Sequence, residues 1–145
     1  MTLILFLARA FVGGVFIYSG WEKLMAPIEN FKAIIEGYQF LPSTLVTPVA
    51  FFVPCFELIF GTFLVLGFLN RTSAVVLGLF LITFITLLSR SLWLRLPISE
   101  CGCFGSGITL PPWQALILDS GLLILALILI KKRPSIFSLD KRLHQ

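Results

Sequence analysis

The chain has 145 residues, 58% of them hydrophobic and only 12% charged, with a formal net charge of +4 at pH 7. A soluble domain carries roughly 25% charged residues, and so small a globule has too little interior to hide this much apolar surface. Composition therefore argues against a soluble domain, a disordered chain and a nucleic-acid-binding domain, and leaves an all-α integral membrane protein.

Four apolar segments, residues 2–21, 48–69, 72–93 and 113–130, approach the ~20 residues that cross ~30 Å of hydrocarbon. In lipid every backbone amide must be paired internally, so each is predicted to be a helix. Residues 1–145 then form one four-transmembrane-helix domain with a basic tail over 131–145.

The first segment has no basic residues before its apolar run, and Arg9 lies inside that run. It reads as a retained helix rather than a signal peptide. At 100° per residue, Arg9, Gly13, Phe16, Gly20 and Lys23 share one side, expected to face the bundle interior. Gly13 and Gly20 leave room there for a flat ligand or for a closely packed helix. Ala10 and Gly14 form a second small-residue pair suited to close packing.

Between the first two spans, Ile28, Phe31, Ile34, Ile35 and Tyr38 recur at helical spacing, with Glu29, Lys32 and Glu36 between them. Pro27 suits a helix start and Gly37 a stop. A short amphipathic helix is expected, lying on the membrane surface or over the bundle mouth. The second span carries Cys55 and Glu57, about 200° apart around the helix. Cys55 reads as a small buried apolar residue. A tight turn at Asn70-Arg71 leads to the third span, where Thr72, Thr83, Thr86 and Arg90 share a side expected to face inward. Asp119 interrupts the fourth span.

Lys131, Lys132, Arg133, Lys141 and Arg142 form the densest basic cluster, and Arg71 falls on the same side. The positive-inside rule then sets both termini in the cytoplasm and residues 22–47 and 94–112 outside. Trp21, Trp93 and Trp113 fall together at the outer interface, as aromatic belts do. A bacterial inner membrane with a periplasmic cysteine loop is the expected location.

Ionisable residues inside spans are functional candidates by default. At ~1.5 Å per residue, Glu57 lies near mid-depth, Arg9 roughly 10 Å from the cytoplasmic edge and Asp119 roughly 10 Å from the outer edge. Arg9 is expected to reach Glu57, and Arg90 to reach Asp119. Such pairs would either orient helices or, through a buried carboxylate, carry protons. The 15 Phe residues suit lipid contact and core packing, or a ring-lined quinone pocket.

The most informative stretch is Glu100-Cys101-Gly102-Cys103-Phe104-Gly105-Ser106-Gly107. A bridge between residues two apart closes almost no loop and stabilises a fold little. Strained, exposed bridges are the labile, oxidising ones, and Gly102 gives the backbone freedom to bring the sulfurs together. Redox chemistry at Cys101 and Cys103 stands beside two alternatives: a reduced, packed turn, or a metal site. A metal is not expected, because zinc wants four ligands and the lone His144 falls on the opposite side. Lys23 or Arg90 would lower a cysteine pKa, and Glu57 or Asp119 would handle protons.

Taken together, Arg9, Ser19-Gly20, Lys23-Leu24, Tyr38, Leu41-Pro42, Pro54-x-x-Glu57-x-x-x-Gly61, Cys101-Gly102-Cys103-Phe104-Gly105 and Asp119 resemble the DoxX-like superfamily, and most closely its methylamine-utilisation MauE branch. The likeness runs over roughly residues 9–125, and the Cys-Gly-Cys-Phe-Gly string is its most specific element. It implies a four-helix membrane protein. It also implies a part in methylamine metabolism, in maturation of a periplasmic disulfide-rich dehydrogenase subunit alongside a thioredoxin-like partner. DoxX relatives are linked to quinone-dependent or thiol-related oxidoreductases.

The leading expectation is a membrane thiol–disulfide oxidoreductase component. Its Cys101–Cys103 pair would exchange with a separate periplasmic thioredoxin-like protein or a disulfide-containing client. A membrane quinone in the outer half of the bundle would take or supply the electrons. The rivals are a non-enzymatic scaffold, with the cysteine loop as a recognition turn, and a small transporter using the buried charges as a path. Four helices without broken segments argue against the transporter. Membrane lipids, and no nucleic acid, are the other expected partners; the oligomeric state is not legible in the sequence.

Overall fold

The computed structural model describes residues 2–98, 101–104 and 108–132. Arg133, Lys141, Arg142 and His144 of the tail, and Glu100 and Gly105 of the cysteine motif, lie outside the described residues. The described chain forms α1 (Thr2–Met25), α2 (Ile28–Gly37), α3 (Ser43–Leu66), α4 (Asn70–Trp93) and α5 (Pro112–Lys131). All except α2 are long and apolar enough to cross a membrane. The protein is thus a multi-pass, all-α membrane protein.

Several helix boundaries differ from expectation, by up to five residues. α1 runs on to Met25 because Lys23 is neutralised inside the bundle rather than solvated outside it. α3 begins at Ser43, so Pro48 and Pro54 both lie within the helix. Proline inside a membrane helix is tolerated because neighbouring elements satisfy the freed carbonyls. The turn after α3 also falls earlier than Asn70-Arg71. Gly67 takes φ +77°, and the amides of Gly67 and Phe68 donate to the carbonyls of Leu64 and Phe63 at 3.3 and 2.9 Å. This is a Schellman closure, a conformation glycine adopts without penalty. Asn70 and Arg71 already belong to α4.

α1 packs antiparallel along α3, and α4 along α5, while the two pairs meet more sparsely. A core of Val12, Phe16, Leu64, Leu77, Leu81, Leu122 and neighbours fills the half of the bundle away from the cysteines. In α1 the buried face is the expected one: Arg9, Gly13, Phe16, Gly20 and Lys23 are all buried. In α4 it is not. Ser73, Ala74, Leu77, Gly78, Leu81, Leu88 and Ser91 face inward, while Thr72, Thr83 and Thr86 are exposed. The hydroxyls of Thr83 and Thr86 donate to the carbonyls of Leu79 and Ile82 at 2.9 and 2.8 Å, so neither needs an interior partner.

The small-residue contact is likewise not Ala10 and Gly14. Gly14 is exposed, and a Cβ there would touch nothing within 4 Å. A Cβ on Gly20 would meet the Pro54 carbonyl oxygen at 2.7 Å, and one on Gly13 the Gly61 carbonyl oxygen at 2.8 Å. These glycines therefore serve backbone-to-backbone packing of α1 on α3, not a flat ligand. Gly20→Ala is expected to lower stability by about 1–3 kcal/mol, because backbone atoms cannot step aside. Gly14→Ala should be neutral or stabilising by up to about 1 kcal/mol. Thermal unfolding in detergent, run on both variants, checks the contrast; equal effects would refute it.

Candidate functional site

At the end of the bundle where α1 and α4 finish and α5 begins, polar groups from α1, α3, α4 and α5 converge with Tyr38, just after α2, and the cysteine loop. The exposed Trp21, Trp93 and Trp113 ring this same end. α1 contributes Ser19 and Lys23, one helical turn apart on the face that meets α3. The Lys23 ammonium contacts both carboxylate oxygens of Glu57 at 2.9 Å, with both side chains buried. Two aromatic rings also flank it. Phe31 of α2 and Phe84 of α4 present their rings 5.0 and 5.1 Å from Nζ. The ammonium is thus held by a carboxylate and two ring faces, a combination that offsets its desolvation.

Glu57 is therefore paired with Lys23, not with Arg9. The antiparallel register explains the correction. Gly20 lies against Pro54 and Leu58, whereas Gly13 lies against Gly61 and Val65. Glu57 is level with Ser19–Lys23, and Arg9 is ten residues farther along, roughly 15 Å away. Arg9 is itself buried, with its guanidinium 5.2 Å from the Phe6 ring centroid.

The cysteine loop sits inside this end of the bundle. Cys101, Cys103 and Phe104 are all buried, as in the packed-turn alternative and not as an exposed bridge. Two anchors hold the loop. The Ser19 hydroxyl donates to the Cys103 carbonyl and also lies 3.2 Å from Glu57 Oε2. The Tyr38 hydroxyl donates to the Cys101 carbonyl at 2.7 Å. Gly102 between them takes φ +72°, and a Cβ there would meet Ile34 Cγ2 at 2.6 Å. The turn thus needs glycine both for its backbone angle and for the fit beneath α2.

The two sulfurs, free thiols here, have different neighbours. The Cys103 backbone amide donates to Cys101 Sγ at 3.2 Å. The Cys103 thiol lies 3.5 Å from Asp119 Oδ2 on α5. Asp119 thus meets Cys103, not Arg90. Arg90 instead donates to the Tyr38 carbonyl at 3.0 Å, closing the C-terminal end of α2 onto α4. The loop filling the space beside Asp119 is why the expected Arg90–Asp119 pair does not form.

This asymmetry separates the acidities of the pair. Hydrogen bonding from the Cys103 thiol, aided by the Cys103 amide, brings Cys101 down to about 7 against the opposing effects of burial and Asp119. Cys103 moves up, because its proton serves Cys101 and because it is buried beside the Asp119 carboxylate. Its single proton has several acceptors in reach: Asp119 Oδ2 at 3.5 Å, the Cys101 carbonyl at 3.9 Å and the Cys101 sulfur. Burial, with the nearby thiols and Asp119, pushes the Tyr38 phenol up, so it stays a donor to the loop. The thiolate is the reactive form. Alkylation of Cys101 should therefore rise with pH and reach half its plateau near pH 7, with Cys103 unreacted across that range. Site-resolved iodoacetamide labelling read by mass spectrometry checks this; a rate flat from pH 6 to 8 would contradict it.

A small cavity among Ser19, Glu57, Cys103, Phe104 and Asp119 joins the two carboxylates to the loop. Cys55 lies outside it, half-buried on α3. The loop does enter the bundle, but against the Glu57 face, as the 200° separation anticipates. Ser19 and Tyr38 stand in the sequence only as elements of a pattern, and the Phe31–Phe84 cage is not flagged at all. Ser19, four residues before Lys23 on the same face, carries a usable signal; the two Phe residues carry none among 15.

A family model described as Methylamine utilisation protein MauE matches residues 1–132. No curated protein and no solved structure matches the chain.

Proposed function

The chain belongs to the MauE family, and from that premise we propose that it is the membrane component of a thiol–disulfide exchange system. Family membership points to a membrane accessory protein of methylamine utilisation. The finer reading rests on one observation: Cys101 and Cys103 sit two residues apart in unlike surroundings, the Cys101 sulfur accepting from the Cys103 amide at 3.2 Å and the Cys103 thiol lying 3.5 Å from the Asp119 carboxylate. A purely structural pair has no need of that division.

In the proposed exchange the Cys101 thiolate attacks the disulfide of a thioredoxin-like partner or a disulfide-containing client. A bond forms between Cys101 and one partner sulfur, and the other partner sulfur leaves as thiolate. Cys103 then gives its proton toward Asp119 and attacks Cys101 Sγ. The Cys101–Cys103 bond forms, and the partner departs as a dithiol. Run backwards, the same steps oxidise the partner. Regenerating the pair requires a second two-electron carrier, for which a membrane quinone is the proposed identity. The cysteine end of the bundle faces the periplasm of a bacterial inner membrane in this reading, where partners with disulfides are found. Exchange also requires the loop to lift from beneath α2, since both cysteines are buried.

Redox titration of the purified protein with a mass-shifting thiol reagent tests the proposal. Cys101 and Cys103 should titrate together as a two-electron couple above about −250 mV, clear of the range below about −300 mV typical of structural bridges. A pair that stays reduced, or stays locked as a disulfide, overturns it. The burial of the loop is the observation that favours the rival scaffold. A scaffold keeps binding its partner and supporting function after both cysteines become serine.

A further inference from the structure

Beside the cysteine loop lies a second, larger space. It occupies about 180 Å³ between α2, α3 and α4, and Cys101 forms part of its wall. Val53 of α3, Thr83 and Leu87 of α4, and Ile34 of α2 surround it. Phe40, in the connection between α2 and α3, and Thr83, on the span-length α4, also line it and are exposed, so the space opens to the outside of the bundle. It is separate from the small polar cavity at Glu57 and Asp119.

We infer that this lateral cavity is the binding site for the ring of a lipid-soluble quinone, and that Cys101 is the thiol presented to it. The inference rests on the redox reading above and assigns that reading a place for its electron carrier. Size is the first argument. An apolar cavity of roughly 150 Å³ holds a benzene ring, so this one takes a single six-membered ring with small substituents. A flavin or a haem would not fit, and the lining offers no cation for a phosphate or a propionate. Access is the second argument. The mouth lies between two membrane-spanning helices, where a ligand arrives from the bilayer. The Thr83 hydroxyl donates its proton to Leu79, which leaves its oxygen lone pairs free to accept from a quinol hydroxyl.

The reaction balances without a further reagent. With the exchange run in the direction that oxidises the partner, the partner's dithiol leaves the pair reduced; Cys101 and Cys103 then lose two electrons and two protons, their two S–H bonds giving way to one S–S bond. The quinone oxygens take up both, ending as the two hydroxyls of the quinol. Cys101 thus faces the lipid-borne carrier on one side of the loop, while Cys103 faces Asp119 on the other.

The experiment uses the whole protein in detergent, with decylubiquinol as probe, because the reduced ring cannot oxidise the pair. Saturating decylubiquinol is expected to slow alkylation of Cys101 by a small maleimide at least ten-fold. Val53→Phe, which fills the cavity, should abolish this protection, and so should Thr83→Phe on the opposite wall should the first variant fold poorly. Dodecanol should not protect. If dodecanol protects as well as the quinol, the cavity is an acyl-chain groove and the inference is overturned. No protection by the quinol, in protein whose cysteines still titrate as a couple, overturns the site and leaves the redox reading standing. Protection in protein whose cysteines do not titrate upholds the site and removes the redox reading.

Discussion

Replacing Lys23 by alanine should cost about 3–5 kcal/mol of stability, because it strands the Glu57 carboxylate in the bundle without its partner. For a chain of this length, such a loss lowers the unfolding midpoint by on the order of 10 °C. The double variant Lys23→Met with Glu57→Leu should recover most of it, since a well-packed apolar pair of similar volume often matches or exceeds a buried ion pair. The Lys23→Ala variant should also loosen the cysteine loop. Glu57 and the Cys103 carbonyl share Ser19, so disturbing one disturbs the other. Thermal unfolding in detergent, with Cys101 alkylation followed in parallel, measures both effects. A single variant as stable as the parent, or a double variant worse than the single, would show that the pair does not hold the bundle.

The second large effect concerns the cysteines. Cys103→Ser should leave Cys101 able to attack a disulfide but without a thiol to resolve the product. Mixed disulfides between Cys101 and its partner should then accumulate, visible as a reducible higher-mass band. Cys101→Ser should give none, because Cys103 is buried beside Asp119 and holds its proton. Asp119→Asn should give an intermediate outcome. The mixed disulfide forms but resolves about 10²-fold or more slowly, the size typical of losing a positioned proton acceptor. Equal trapping by both single cysteine variants would remove the division of roles between the sulfurs.

Much of the architecture was legible because lipid leaves few choices. Twenty-residue apolar runs must be helices, and the short pattern from Ile28 to Tyr38 has a helical period with proline before it. The inward face of α1 followed from the spacing of Arg9, Gly13, Gly20 and Lys23. The inward face of α4 did not, because a threonine hydroxyl can bond its own helix and then faces lipid at no loss. Which charges would meet was also beyond reach. Pairing depends on the relative height of two helices, and nothing in one helix encodes the level of another. Arg9 and Lys23 occupy the same stripe, and only the register set by Gly20 on Pro54 decides between them. The cysteine motif was legible as chemistry but not as a place. Its burial depends on a glycine that fits beneath Ile34 and on two hydroxyls more than 60 residues away in sequence, Tyr38 and Ser19.

The Lys23–Glu57 pair also bears on how the protein enters the membrane. Taken singly, α1 brings an ammonium in its last turn and α3 a carboxylate into hydrocarbon. Each opposes insertion by up to about 2.5–3.5 kcal/mol, the cost of a charge at a helix centre, the ammonium near its helix end by less. As two consecutive spans they can cancel each other's charge before either meets lipid. α1 and α3 should therefore leave the translocon as a hairpin, with α2 folded at its bend, rather than one at a time. The ring faces of Phe31 and Phe84 arrive at different moments in that sequence. Phe31 comes with the hairpin, whereas Phe84 comes only with α4, so the cage around the ammonium closes last. A nascent chain halted before α4 emerges should hold its first two spans together while still leaving one side of Lys23 open.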